Sequence, residues 1–528
     1  MHTDRDFNLQ GELPANQEAL VQDLELNPLF NAMARGDDLL LEVARVAVLS
    51  SLTDTDTILY RQNILQDCLN NSTIVRTVYD LTVETMATRK KLYFGIFSRY
   101  PDAILHGSLE MLELFMDSLA QLRRIADEHA REFRSAGFTA FWAMIEEGLP
   151  DEYFTTIRHH FRELRFRDGV LISAGLGEGN KGTNHVLRRA PVKPEGWLAR
   201  VLTRRPPTYT FSISDRDESG ARALSELRDR GLNLVADAAA RSADHILGFF
   251  NVLRTELAFY VGCLNLRDQL AEKGGPVCMP VPFAARERRR SCQGLYDVSL
   301  ALSLAGPVVD NHLAADGKDV VVITGANQGG KSSFLRAAGL AQLMTQCGMF
   351  VAARSFSVNV CEGIFTHYRR EEDPTMRSGK LDEELARMSW IVDRLRPDSL
   401  ILFNESFAAT NEREGSEIAG QVIYALLEKR IMVFFVTHLY EFAHGLFERE
   451  MGNAVFLRAE RKDDGERSFK MIEGEPWQTS FGEDLYARVF GGPGGALRPA
   501  SVRVSAGGGV HGRHRKGRSE QNGESLWL

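Results

Sequence analysis

Gly325, Gly330, Lys331 and Ser332 stand at the spacing G-x-x-x-x-G-K-[ST] in the stretch ITGANQGGKSS, between the apolar run VVVIT and the helix-like run SFLRAAGLAQLMTQ. Glycines at those places let backbone N–H groups curl around an anion, and a helix beginning beside Lys331 turns its positive end toward it. Gly325, Ala326, Asn327, Gln328, Gly329, Gly330, Lys331, Ser332 and Ser333 therefore read as a cradle for nucleotide phosphates. In that pattern Lys331 reaches the outer phosphates and the Ser332 hydroxyl binds Mg²⁺, so ATP and Mg²⁺ are the expected cofactors.

Two further strands point at the same chemistry. SLILFNESFAATNEREG places Asn404 and Glu405 at the C-terminal end of an apolar run, where open α/β sheets bind ligands. A carboxylate there can polarise the water that attacks a terminal phosphate, which makes Glu405 the candidate base and Asn404, with Ser332, a candidate for the metal side. IMVFFVTH ends on His438, placed to sense the terminal phosphate. Two other patterns carry less. GEGNKG (177–182) fits G-x-G-x-x-G but has no apolar helix after it, and Phe161-Arg162-Glu163, an F-x-E triplet, reads as helix surface.

The rest of the chain must hold these groups in place. It has 528 residues, 44% of them hydrophobic and 25% charged, with a formal net charge of −8, a balance typical of folded domains that gives no global case for nucleic-acid binding. No apolar run approaches the roughly 20 residues of a membrane span, and the first residues carry acids in place of a secretory h-region. Six scattered cysteines without a CxxC pair argue for buried thiols. From about 20 to 160 the pattern is helical, with Leu105, Leu109, Leu112, Met116 and Leu119 on one stripe. Residues 158–205 carry eleven Lys and Arg against four Asp and Glu, and GVLISAGLGEGNKGTNHVLRR within them and PPTYTFSIS directly after them are short β-type runs. Helical periodicity returns from 221 to 270 through Leu224, Leu227, Leu234, Ile246, Phe249, Phe250, Leu253 and Leu257. Beyond a boundary near GGPVCMP (274–280), β-rich runs alternate with helices as in a parallel sheet buried on both faces.

These residues resemble one family. TGANQGGKSS, LILFNESFAATNEREG and VTHLYEF are similar to the P-loop, the strand-end acid with its following turn, and the His loop of the DNA mismatch repair MutS family. SFGEDLYARVF resembles its short motif near the end of the ATPase core, and YRQNILQD around Tyr60 resembles its helical core. The likeness is specific over about 294–490 and looser over about 20–290.

The resemblance implies an α/β P-loop NTPase domain of ABC type on the C-terminal side, preceded by a mostly α-helical lever and core domain with a small, partly β, clamp-like insert. Residues 1–20 would be a flexible N-terminus, 21–290 the core and levers with the insert at about 158–215, 291–492 the ATPase, and 493–528 a disordered, Gly-rich basic tail. It implies a homodimer whose ATP-joined heads drive a DNA clamp in repair or recombination control, with Glu405 and His438 catalytic. The signature completing the partner's site would be Ser378-Gly379-Lys380 with Leu381-Asp382-Glu383. Leu381-Asp382 stands where the family has Ser-Thr, and Asn404 where it has an acid. Arg165, Arg167, Arg188 and Arg189 would contact duplex DNA, and Arg513, Arg515, Lys516 and Arg518 would add nonspecific affinity. About twenty residues precede the helical core where the family has its mismatch-reading domain, so a branched duplex is the expected target ahead of a mispair. The expected location is the cytoplasm, at the nucleoid. Two alternatives stand beside this reading: a nucleotide-gated binding module with little turnover, and an ATPase that grips a protein.

Overall fold

A computed structural model describes residues 1–92, 100–167, 169–189, 209–370, 379–461 and 467–477. All of them lie in the first of two compact units, Met1–Ser480 and Phe481–Leu528. The expected ATPase-end motif SFGEDLYARVF, the basic tail and Ser378 fall outside the described residues.

The helical half runs through α1 (Gln17–Asp23), α2 (Leu26–Ala34), α3 (Asp38–Leu49), α4 (Thr55–Asn70), α5 (Ser72–Leu92), α6 (Pro101–His129), α7 (Ala136–Gly148) and α8 (Asp151–Leu164). Several starts are fixed by side chains that accept the first free N–H groups: Asp37 for α3, Asp54 for α4 and Ser135 for α7. The stripe on α6 is buried as its spacing predicts. It packs on α9 (Glu218–Glu272), a helix of 55 residues and hence roughly 80 Å long at 1.5 Å per residue. Between α8 and α9, β1 (Leu171–Leu176) and β2 (Gly182–Arg188) form an antiparallel hairpin, and GEGNKG supplies its turn and the first residue of β2.

Several sequence expectations change here. Leu224, Leu227 and Leu234 lie on α9 but are exposed, because among the described residues no element covers that face of its first turns. Phe161, expected on a helix surface, is buried in the cluster that α8 shares with α6 and α9. Residues 209–214, expected as a β-run, form no strand. A stretch of α9 reaches a mean hydropathy of 1.3, enough by length and composition to cross a membrane, although no such run was expected. Of that window 56% is buried inside the fold, as in a core helix.

The C-terminal half holds two sheets. One orders β3 (Val281–Phe283), β7 (Ser355–Asn359), β4 (Arg290–Leu295) and β5 (Asn311–Ala314). Because β3 pairs with β7, the sheet-forming half begins before residue 291, close to the GGPVCMP segment. The other orders β12 (Arg467–Glu473), β11 (Ala454–Arg461), β6 (Val320–Thr324), β10 (Met432–Val436), β9 (Leu400–Asn404) and β8 (Ile364–Tyr368). It is parallel from β11 to β8, with β12 antiparallel at one edge. The continuous apolar runs follow from burial on both faces. Val321, Ile323, Leu400, Leu402, Met432 and Phe434 face one core, while Val320, Val322, Ile401, Phe403, Val433 and Phe435 face the other.

Helices α10 (Val298–Ser303), α11 (Lys331–Gln346), α12 (Lys380–Val392), α13 (Glu412–Glu428) and α14 (Tyr440–Glu448) complete the half. The first of the two cores does not stop at the helical half. It runs from α2–α5 through Phe259, Leu264 and Leu266 of α9 into Leu335, Leu340 and Leu343 of α11. The YRQNILQD stretch fastens this junction: buried Arg61 donates from Nη1 to the carbonyl of Cys347, at the end of α11, and Gln62 donates to Pro280 O. A cation at a helix C-terminus is favoured by the helix dipole.

Candidate functional site

Strand ends of the parallel sheet converge at one edge. The loop between β6 and α11 contains Gly325 at φ +113 and Gly330 at φ +90, a region open to glycine. A Cβ at Gly325 would lie 2.8 Å from the Ala459 backbone nitrogen, so the close pass of β11 also excludes a side chain. The loop residues 327–333 line a cavity of about 410 Å³ together with Glu405. Its remaining wall is largely apolar: Tyr296, Leu300, Pro307, Val308, Val309 and Phe469. An N–H-lined half beside an apolar half suits a nucleotide, phosphates on one side and base on the other. Lys331 is buried, with Nζ donating to Gly325 O (3.0 Å) and Ala326 O (2.9 Å). Burial pushes its amine down to about 8, against the raising effect of the Glu405 carboxylate. Ser332 Oγ donates to Asn404 Oδ1 at 2.9 Å, so the two expected metal-side groups meet, and both are oxygen donors of the kind Mg²⁺ accepts.

Glu405 follows β9 directly, and His438 stands two residues beyond the end of β10. His438 Nε2 donates to Glu405 Oε1 at 3.0 Å; chiefly that bond holds the carboxyl below its ordinary range. Glu405 and Phe407 sit at φ +55 and φ +62, conformations that non-glycine residues keep only when their surroundings enforce them. The enforcement is visible. Glu405 N donates to Val436 O (2.9 Å), and Phe407 N donates to Glu384 Oε2 on α12 (2.7 Å). His367, buried on β8, donates from Nε2 to Glu384 O (3.0 Å), and its Nδ1 lies 2.7 Å from Ser406 Oγ. Burial lowers the His367 imidazole to about 4, so the ring is neutral. The turn carrying Glu405 is thus tied to the first turns of α12. Glu384→Ala should leave a buried N–H unpaired and cost about 1–3 kcal/mol in denaturant titration, whereas Glu384→Gln, which keeps an acceptor oxygen, should recover most of that.

The four arginines expected to meet DNA also come together. Arg165, Arg167, Arg188 and Arg189 line one groove of about 740 Å³ between the end of α8 and the β-hairpin. Two of them are held in ion pairs and a third in a hydrogen bond. Arg165 pairs with both carboxylate oxygens of Glu113 (2.7 and 2.6 Å), and Arg189 pairs with Glu163 at 2.6 Å. Arg188 donates to Ser173 Oγ at 2.8 Å. Ion pairs at such exposed positions contribute about 0–1 kcal/mol and exchange readily for a stronger anion.

Residues 53–273 match the profile of the MutS2 N-terminal domain, and residues 321–502 match MutS domain V. The chain belongs to the MutS family. Among curated relatives it is 32% identical over 152 residues to MutS protein homolog 4 of Mus musculus, covering 29% of this chain and 16% of that protein. It is 27% identical over 294 residues to the DNA mismatch repair protein MutS of Prochlorococcus marinus, covering 53% and 31%. It is 36% identical over 135 residues to the DNA mismatch repair protein MSH3 of Arabidopsis thaliana, covering 25% and 12%. The chain thus aligns with less than a third of the length of each of these relatives.

Within this MutS-family fold, the loop 325–333, Asn404, Glu405 and His438 meet at one edge, while the arginine groove lies at the other end of α9. Of the expected signature, Gly379 caps α12 and Lys380 to Glu383 form its first turn. Three features of the site stand outside the sequence expectations: the apolar wall, the Glu384 and His367 ties, and Arg369, which follows β8 at the same edge. The wall comes from short segments around α10 and β12 that carry no periodic signal. Arg369 was findable by the strand-end rule, had IFTHY been read as a strand.

Proposed function

We propose that this chain binds ATP at the 325–333 loop, hydrolyses it with Glu405 as general base and His438 as its partner, and couples that cycle to a DNA clamp, in repair or recombination control. Helix α9 carries this reading. Its C-terminal half is buried in the core that also holds the P-loop helix, and its N-terminal half packs on the hairpin that forms the arginine groove: a Cβ at Gly231 would strike the Ile172 side chain. A movement of the head is therefore transmitted to the groove through one continuous helix. Mg²⁺ held by Ser332 and Asn404 would neutralise charge on the outer phosphates. Lys331 binds those phosphates, and Glu405, oriented by His438 and the strained turn, polarises the attacking water. The names of the relatives support DNA as the partner and repair as the setting. A homodimer follows if the first turn of α12 completes a partner's site.

Coupling of this kind amounts to about 1–3 kcal/mol and is reciprocal. Steady-state hydrolysis without DNA and with matched, mismatched and branched duplexes tests it. Turnover should rise with at least one duplex, and ATP should shift the affinity for that duplex; indifference to every duplex would sink the coupled clamp. The neutral Ser332–Asn404 pair favours a second reading, a nucleotide-gated module with little turnover, because an amide binds a metal-held water more weakly than a carboxylate does.

The groove makes its own prediction. Arg167→Glu with Arg188→Glu should weaken duplex binding at least about tenfold and reduce the slope of log affinity against log salt by about two, as each lost phosphate contact removes about 0.9. Anisotropy titrations over a KCl series measure both. Unchanged affinity and slope would assign the groove to a protein partner.

A further inference from the structure

The metal-side groups of this site are neutral, and a cation stands next to them. β8 and β9 run parallel with Tyr368 opposite Asn404, so the next residues, Arg369 and Glu405, leave the sheet side by side. Arg369 N donates to Asn404 O at 2.9 Å. Arg369 and Arg370 line a second cavity of about 390 Å³ whose wall includes Ser332 and Asn404, so this cavity adjoins the P-loop on its metal side. The other cations there are engaged. Arg336 pairs with Asp297 and Glu25, and Arg370 lies 3.6 Å from Asp23. Arg369 is exposed and makes no ion pair with a described residue, yet it is close enough for its charge to act on Glu405. Tyr368 lines the same cavity, and its buried hydroxyl has no hydrogen-bond partner among the described residues.

Building on the nucleotide site proposed above, we propose that Arg369 is a further nucleotide-binding residue, taking the terminal phosphate of a nucleoside triphosphate in cis. A terminal phosphate seated between Ser332 and Glu405 carries oxygens that face this strand end. The Ser332–Asn404 pair presents dipoles and no negative charge to a metal ion, so less of the phosphate charge is neutralised through the metal. A guanidinium offers a planar fork of N–H donors matched to phosphate oxygens and stays charged at any working pH. Because the contact is to the third phosphate, Arg369 separates triphosphate from diphosphate, and it lessens the dependence of triphosphate binding on Mg²⁺.

The test titrates the full chain with fluorescent analogues of ADP and of non-hydrolysable ATP, in Mg²⁺ and in EDTA, for the wild type, Arg369→Ala and Arg369→Lys. Arg369→Ala should weaken the triphosphate about tenfold or more and the diphosphate less than about threefold, with Lys recovering part of the loss. In EDTA the wild type should keep a measurable preference for the triphosphate, and the Ala variant should lose it. Equal affinities in wild type and Arg369→Ala, or equal losses for both nucleotides, overturn the role of Arg369 and leave the nucleotide site standing. A wild type that binds neither nucleotide overturns the site as well.

Discussion

Lys331→Met is expected to give a folded protein whose affinity for ATP is lower by two orders of magnitude or more. The Lys331 amine is buried at the start of α11, held by two loop carbonyls, and burial disfavours its charge. Phosphate oxygens in the loop would offer that ammonium the negative partner it lacks. Removing one member of such a buried charge pair costs about 3 kcal/mol or more, which is about a hundredfold in affinity. Methionine keeps the apolar stem and its packing. It also removes a poorly solvated ammonium, so the thermal midpoint of the nucleotide-free protein should hold or rise. Calorimetric titration with a non-hydrolysable ATP analogue, beside a thermal melt, separates lost binding from lost folding. Affinity within threefold of wild type would remove this loop from nucleotide binding altogether.

What was legible in the sequence depended on whether a residue's role shows in its neighbours. β6, β9 and β10 are apolar without interruption because both faces are buried, so each announced itself. β8 did not, since its Thr366 and His367 break the apolar run, and His367 is buried only because Ser406 and Glu384, distant in sequence, satisfy its ring. The second sheet is hidden for a related reason: β4 pairs with β7 across about sixty residues, β4 does not alternate, and the alternation of β7 is only five residues long. Helical spacing placed Leu224, Leu227 and Leu234 on a helix correctly but could not say whether anything covers their face. The P-loop was plain because its chemistry requires neighbouring residues at fixed spacing. Glu384 reaches the site through the docking of α12, which no local spacing records, and Arg369 stands out only once IFTHY is taken as a strand.

Glu405→Gln is expected to lower turnover about a hundredfold or more, the range of a positioned general base, while nucleotide affinity changes by less than about threefold. The substitution is nearly isosteric, and its amide oxygen can still accept the His438 hydrogen bond, so the strained turn should hold its shape. What disappears is the negative charge facing the P-loop. The His438 bond keeps the Glu405 carboxyl below its ordinary range, which favours an ionised group that orients and polarises water. Such a group is a weak proton acceptor in the ground state, and slow turnover in the wild type would agree with that. Single-turnover hydrolysis at saturating ATP measures the chemical step apart from product release. A hundredfold loss with intact binding assigns the chemistry to Glu405. Equal and negligible rates in both proteins, with binding intact, would make the head a nucleotide-gated switch, and the work of the clamp would then be driven by ATP binding and release alone.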